Sequence, residues 1–160
     1  MSTTTDRAGS IENYLQTATK IRSIVQGLSE EQLVWQPGPG KWSINEIVGH
    51  LVDSNIVNSY RIRKIISEPV SPLATFAHDD WVSQQQFNEI ALSEILDVYD
   101  ALTRYNAILL RKLSEEQWLR VGMKVNEPIS IAHIIDKFIC NHVNEHLGQI
   151  ERNKAAYSAR

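Results

Sequence analysis

Three histidines carry the chemistry most directly readable from this chain. His142 and His146 stand four residues apart in NHVNEHLGQIER, and His50 lies far upstream in KWSINEIVGHLVDS. On an α-helix, a four-residue step leaves two side chains about 40° apart on one face and roughly 6 Å apart along the axis. That spacing offers a two-point grip on a metal ion, and neutral imidazole is the commonest protein ligand for zinc, nickel, copper and iron. A third imidazole from another helix would complete a three-histidine site with open coordination positions. The plain alternative for a lone pair is two surface or satisfied core histidines, so the reading depends on whether His50 can reach it.

The elements that must position these residues read as helices. Ile11, Leu15, Ala18, Ile21, Ile24, Val25 and Leu28 recur every three to four residues, which predicts a first helix over Ile11–Leu28. Pro37, Gly38, Pro39 and Gly40 break the turn after it. Ser43, with Glu46 three residues on, reads as a capping box opening a second helix that runs to about Ser67, before Pro69. A third helix is predicted over Leu92–Leu113, and Ser130 caps a fourth from Ile131 to about Lys154. No strand-like alternation persists, so the fold class is all-α. LSEEQL…SINEI echoes LSEEQW…SIAHI, which suggests two similar helical hairpins packed as halves of one four-helix bundle.

Depth along these helices tests convergence. His50 lies roughly 10 Å into a helix about 36 Å long, and the His142/His146 midpoint lies roughly 21 Å into one of similar length. Parallel helices starting at one level would miss by about 11 Å; antiparallel ones miss by about 5 Å, which a small axial shift removes. Antiparallel second and fourth helices need one long crossover. The longest irregular segment, about 20 residues from Pro69 onward, falls between helices two and three, where bundle connections are usually about 2–8 residues. The predicted topology is therefore up-down-down-up.

Other candidates are weaker. His133 is nine residues before His142, about 180° away on a straight helix, and reads as exposed. His78, in the crossover string AHDDW, reads as solvated, with bordering the site as its alternative. Glu46 reads as the cap. Asp53, three residues after His50, reads either as a group that orients an imidazole or moves protons, or as a solvated acid. Arg61 and Arg63 read as surface residues, though one could receive an anionic substrate. Trp35, Trp42, Trp81 and Trp118 fall near turns, where they would plug the bundle ends; Trp81 could instead wall a pocket.

Bulk numbers bound the rest. The 160 residues fit a single domain, 1–160, with a core over about 11–154. Net charge is −3 with acids and bases mixed, which gives no basic footprint for nucleic acid and no polybasic membrane patch. Cys140 is the one cysteine, so no intrachain disulfide forms; it sits in the apolar run FIC and reads as a buried, inert thiol. The polar start MSTTTDRAGS has no signal-peptide pattern, and the expected location is the cytoplasm.

The strings W-S-x-x-E-x-x-x-H-L-x-D-S (Trp42 to Ser54) and H-x-x-x-H-x-x-Q (His142 to Gln149), with F-A-H-D-D-W between them, resemble the DinB/YfiT-like superfamily of metal-binding four-helix proteins. The likeness covers about Ile11 to Arg152. It implies His50, His142 and His146 as metal ligands, a divalent ion (zinc or nickel), an up-down-down-up bundle and a homodimer. Its YfiT-like branch implies a metal-dependent hydrolase. Related members are S-transferases that use bacillithiol or mycothiol, or a mycothiol-dependent maleylpyruvate isomerase. The chain departs from that branch at Gly49, Asn55 and Phe76, where a histidine, a histidine and a tyrosine are common.

Two functions are thus expected. One is an enzyme whose divalent ion activates water or a low-molecular-weight thiol toward a small-molecule substrate, with Asp53 managing protons. The other is a non-catalytic metal-binding protein of stress response or structure.

Overall fold

The computed structural model describes residues 6–69 and 71–160. Four long helices form the body: α1 (Arg7–Val25), α3 (Ile44–Ser67), α5 (Leu92–Leu110) and a last helix spanning 131–158. The last helix is continuous but not uniform. It opens as α7 (Ile131–His133), winds as a π-helix over Ile134–Asn141, and resumes as α8 (His142–Ser158). Short helices fill the connections: α2 (Glu30–Val34), α4 (His78–Gln85) and α6 (Glu115–Leu119).

Hydrogen bonds fix the helix directions. Asn153 near the end of α8 donates to the Trp42 carbonyl at the start of α3 (3.0 Å), so these helices are antiparallel. Asn55 on α3 donates to Thr103 on α5 (3.1 Å), and Asn45 donates to the Ile90 carbonyl just before α5 (3.1 Å), so these are parallel. Arg22 near the end of α1 holds Asp97 and Asp100 on α5, and Arg7 at its start holds Glu115 beyond α5, so α1 and α5 are antiparallel. The bundle is up-down-down-up, as depth and connection length require. The crossover between α3 and α5 contains strand β1 (Pro72–Leu73), α4 and a 3-10 turn at Phe87–Glu89.

The local rules of the sequence account for most boundaries. Ser29, Ser43, Ser114 and Ser130 each cap a helix by accepting a backbone N–H three residues on. The two LSEEQ strings are therefore structurally equivalent: each ends a long helix, forms a five-residue helix and leads to a capped long helix. They differ in the connection to that long helix. A Pro/Gly loop joins α2 to α3, whereas β2 (Val121–Lys124) and β3 (Glu127–Ser130) form a hairpin between α6 and α7. β1 adds to β2 in parallel, giving a three-stranded sheet of order β1-β2-β3. These strands are two to four residues long, too short to leave an alternating pattern in sequence. Gly122 permits the close approach, since a Cβ there would lie 2.8 Å from the Ser71 carbonyl oxygen. The hairpin tip places Val125 at φ 57°, a left-handed conformation costly for a β-branched residue.

Two apolar clusters stabilise the bundle. One, at the α3 entrance, contains Val25, Ile44, Ile47, Leu51, Leu96 and Ile150. The other, at the far end, contains Ile11, Ile62, Ile65, Leu110, Ile131 and Ile134 under Trp118. Buried polar side chains from α1, α3 and α5 link up between the helices. Tyr14 donates to Asn55 (2.5 Å), Asn106 donates to Tyr14 (2.9 Å) and to Ser59 (2.6 Å), and Thr17 meets Tyr99 (2.8 Å). Burial pushes the Tyr14 phenol up to about 12, so it stays protonated as a donor. Replacing Tyr14 by Phe would leave the Asn55 acceptor without its donor. Tyr14→Phe is expected to lower unfolding free energy by about 1–3 kcal/mol, read from urea denaturation; an unchanged midpoint would show that the network does not contribute.

Candidate metal centre

α3 presents His50 on its inner face, three turns before Arg61, and the antiparallel α8 presents His142 and His146 to it. The three rings meet. His142 Nε2 lies 3.1 Å from His50 Nε2 and 2.9 Å from His146 Nε2, and one ligand atom from each ring falls within 4.8 Å of the others. Among the described residues, no fourth histidine, cysteine or carboxylate joins this group. The π-helical stretch immediately before His142 shifts the phase of the last helix just ahead of the pair, and π segments recur at functional sites.

The hydrogen bonding tests whether a cation fits. His146 Nδ1 lies 2.7 Å from Gln149 Oε1, so Nδ1–H donates and Nε2 carries the lone pair. His142 Nε2 faces both other Nε2 atoms, and one ring N–H cannot be shared well between two such acceptors. Three converging nitrogens with too few protons suit a metal ion. Zinc–nitrogen bonds of about 2.0–2.1 Å place tetrahedral ligand atoms roughly 3.3 Å apart, close to the 3.1 Å and 2.9 Å that separate His142 from His50 and His146. Gln149, by accepting from the far ring nitrogen, fixes the orientation of the His146 ring as such a ligand needs. It stands three residues after His146, so its position on the same helical face was available in the sequence.

The rings are held neutral. Burial, aided by the neighbouring imidazoles, pushes His50 down to about 3 and His142 down to about 4. Burial also lowers His146, opposed by its bond to Gln149 and by Glu145. Asp53, one turn beyond His50, is buried and accepts from Gln85 Nε2 (2.7 Å). Burial raises its carboxyl to about 6, against the pull of that hydrogen bond. It is therefore no solvated acid.

Aromatic side chains wall the centre. The Trp42 ring sits 4.9 Å from His50 and 6.2 Å from His146. From the crossover, His78 lies 5.1 Å from His50 and packs on Phe76 (4.2 Å), which in turn meets Trp81 (4.8 Å). His78 thus borders the site, the alternative its sequence position left open, and is at the same time exposed to solvent. Trp35 and Trp118 behave as end plugs, against Tyr157 and beneath Arg7, whereas Trp42 and Trp81 line the site.

Several other expectations need correction. Glu46 does not close the Ser43 capping box. Its Oε1 instead accepts from Gln36 (2.7 Å) and Asn88 (2.6 Å), tying two connections to α3. Arg61 is buried, not superficial: its guanidinium donates to the Ala74 carbonyl and to Asn58. His133 is exposed, as expected, against Phe138. The Cys140 thiol is half-buried, and burial pushes it up to about 11, which keeps it protonated and inert. Gly49 has a packing reason: a Cβ there would lie 2.5 Å from the Phe87 ring, so the crossover lies directly on α3 beside His50.

Comparison with known proteins places this architecture. A model of the DinB superfamily matches residues 13–150. The chain belongs to the DinB superfamily. It is 23% identical over 134 residues to a Geobacillus thermodenitrificans protein named "Putative metal-dependent hydrolase", covering 81% of this chain and 74% of that one. An Oceanobacillus iheyensis protein of the same description is 23% identical over 142 residues, covering 88% and 79%. The structure of YfiT from Bacillus subtilis, described as a probable metal-dependent hydrolase with an unusual four-helix bundle topology, superposes with a TM-score of 0.84 at 18% identity. That match covers 97% of this chain and 91% of YfiT, and it shows the shared fold. No helix among the described residues is long and apolar enough to cross a membrane.

The neutral triad has a pH signature. Each ring takes its proton in the unfolded chain near the ordinary value of about 6.5, but in the folded protein only at lower pH. The stability it contributes is therefore complete above about pH 6.5 and is lost as pH falls toward the folded values of about 3 and about 4 for His50 and His142. Asp53 acts oppositely, because its raised carboxyl lets the folded state bind a proton between about 6 and its ordinary 3.8. Three imidazoles outweigh one carboxyl. Chelator-treated protein is expected to lose more than about 1 kcal/mol of unfolding free energy between pH 7 and pH 5 in urea titrations. A midpoint that held or rose would contradict the neutral triad.

Proposed function

We propose that this DinB-superfamily protein is a metal-dependent enzyme in which His50, His142 and His146 hold one divalent ion, zinc or nickel. The observation that carries the reading is the convergence of three Nε2 atoms, with His146 oriented by Gln149. Bound there, such an ion supplies Lewis acidity at its open positions and brings a nucleophile toward ionisation near neutral pH. The names of the relatives favour water as that nucleophile and hydrolysis as the reaction. A low-molecular-weight thiol, giving S-transfer to an electrophile, uses the same site.

The chain's own residues supply the rest. Gln149 fixes the His146 ring so that its Nε2 faces inward. Trp42 and the Phe76–Trp81 pair lie against the triad as apolar walls. Asp53, held by Gln85 through Oδ2, has Oδ1 with which to take the nucleophile's proton, and its raised carboxyl suits a base working near neutrality. Because Asp53 comes one helical turn after His50, it shares the face that meets the triad.

Metal analysis by mass spectrometry tests the base of this reading. Wild-type protein is expected to carry about one equivalent per chain, and His142→Ala to lose at least about tenfold in metal affinity. Equal metal content in both would sink it. With metal-loaded protein screened against simple esters, amides and thiol–electrophile pairs, Asp53→Asn is expected to keep the metal. It should lose roughly 10²-fold in kcat, with the acid limb of the pH profile removed. An unaltered profile would take Asp53 out of the mechanism.

A further inference from the structure

Beside the triad, on the side of His142, lies a cavity of about 250 Å³. Its lining is unusual in charge. Arg61, Lys124 and Lys137 contribute cations, and Glu145 is its one carboxylate. Among the described residues, none of the three cations forms a salt bridge within 4.0 Å. The remaining polar lining, Ser54, Asn58, Thr75 and His78, offers neutral groups.

Arg61 is the decisive residue. It is only 5% exposed, and a buried guanidinium without an anion is costly. Nε and Nη2 donate to the Ala74 carbonyl, and Nη1 donates to Asn58 Oδ1. A guanidinium has about five N–H bonds, so about two remain for a ligand. Neutral oxygens satisfy its geometry without neutralising its charge. Lys124 reaches the same place from an unrelated element. Its Nζ lies 5.0 Å from the Phe138 ring, and Arg61 Cζ lies 5.9 Å from that ring. The β1–β2 pairing brings Lys124 there, and the strained residue next to it, Val125, turns the hairpin at that point.

We infer that this cavity binds an oxyanion group, carboxylate or phosphate, of the substrate and thereby holds the substrate's reacting end at the triad. The volume suits a group of a few heavy atoms, and paired guanidinium and ammonium donors are the usual receptors for such anions. The placement of the reacting end rests on the metal-site reading above; the anion site does not.

Calorimetric titration separates the two. Malonate and inorganic phosphate are titrated into metal-loaded and chelator-treated full-length protein, at low and high salt. At least one anion is expected to bind both forms, more weakly at high salt. The stronger of the two identifies carboxylate or phosphate as the preferred group. Arg61→Gln is expected to weaken binding at least about tenfold, and Lys124→Gln about threefold. Lys124 is half-exposed at a strand end, so its variant keeps the test valid if removal of Arg61 unfolds the chain. Absence of binding to chelator-treated wild type, or wild-type affinity in a folded Lys124→Gln or Arg61→Gln protein, overturns the inference. Binding that survives metal removal upholds it even if metal content fails to depend on His142.

Discussion

The antiparallel packing of α3 against the last helix is the contact on which everything else depends. It brings residue 50, early in one helix, level with residues 142 and 146 in the other. It also forbids short wiring. With α1 and the last helix running one way and α3 and α5 the other, the chain must travel the length of the bundle between α3 and α5. That return segment also folds back over the histidine cluster. Phe76, His78 and Trp81 come from it, as do Gln85, which holds Asp53, and Phe87, which packs on Gly49. A topological necessity and the walls of the site are therefore one piece of chain.

Register along the helices is a separate problem, because two apolar clusters alone would tolerate sliding. The buried polar links address it. Tyr14, Asn55, Ser59, Thr103 and Asn106 satisfy one another only at one axial offset of α1, α3 and α5. A one-turn slip would leave several of these groups buried without partners, each at a cost of about 1–3 kcal/mol. Asn55 lies only five residues beyond His50. The same interactions that fix the bundle therefore fix the height of the first imidazole. Glu46 acts similarly from the other side, since its bonds to Gln36 and Asn88 anchor both flanking connections to the first turn of α3.

The sequence made the bundle and the triad legible because both arise from regular geometry. Serine caps set the starts of α3 and of the last helix, a 3.6-residue repeat set the helix faces, and a rise of about 1.5 Å per residue set the depth of each histidine. What it hid was irregular. The π-helical turn before His142 has no compositional mark, so ideal-helix arithmetic could give depth only to within a few ångströms. The β-hairpin strands are shorter than any alternation test can see, and with them went Lys124. Arg61 looked like a surface residue because charged residues are mostly exposed. Its burial depends on the Ala74 carbonyl, thirteen residues on and in the crossover. The place of His78 beside His50 was hidden for the same reason: nothing local says that an irregular segment folds back onto that residue.

The charge distribution ties these late-found residues to the site. The triad is neutral, so it brings no negative charge of its own to a bound cation. Arg61 and Lys124 add positive potential next door, and both push the His78 imidazole downward, after burial and against the pull of Asp79. Unopposed, that concentration of positive charge costs folding free energy through repulsion and desolvation. An anionic ligand reverses the account. In the inference above, its negative group would meet Arg61 and Lys124 and its approach would be steered by the same field. The architecture is thus one in which a neutral, aromatic-walled histidine cluster and a cationic cavity share His142 as their common wall, and an anion bound in the cavity would join the two electrostatically.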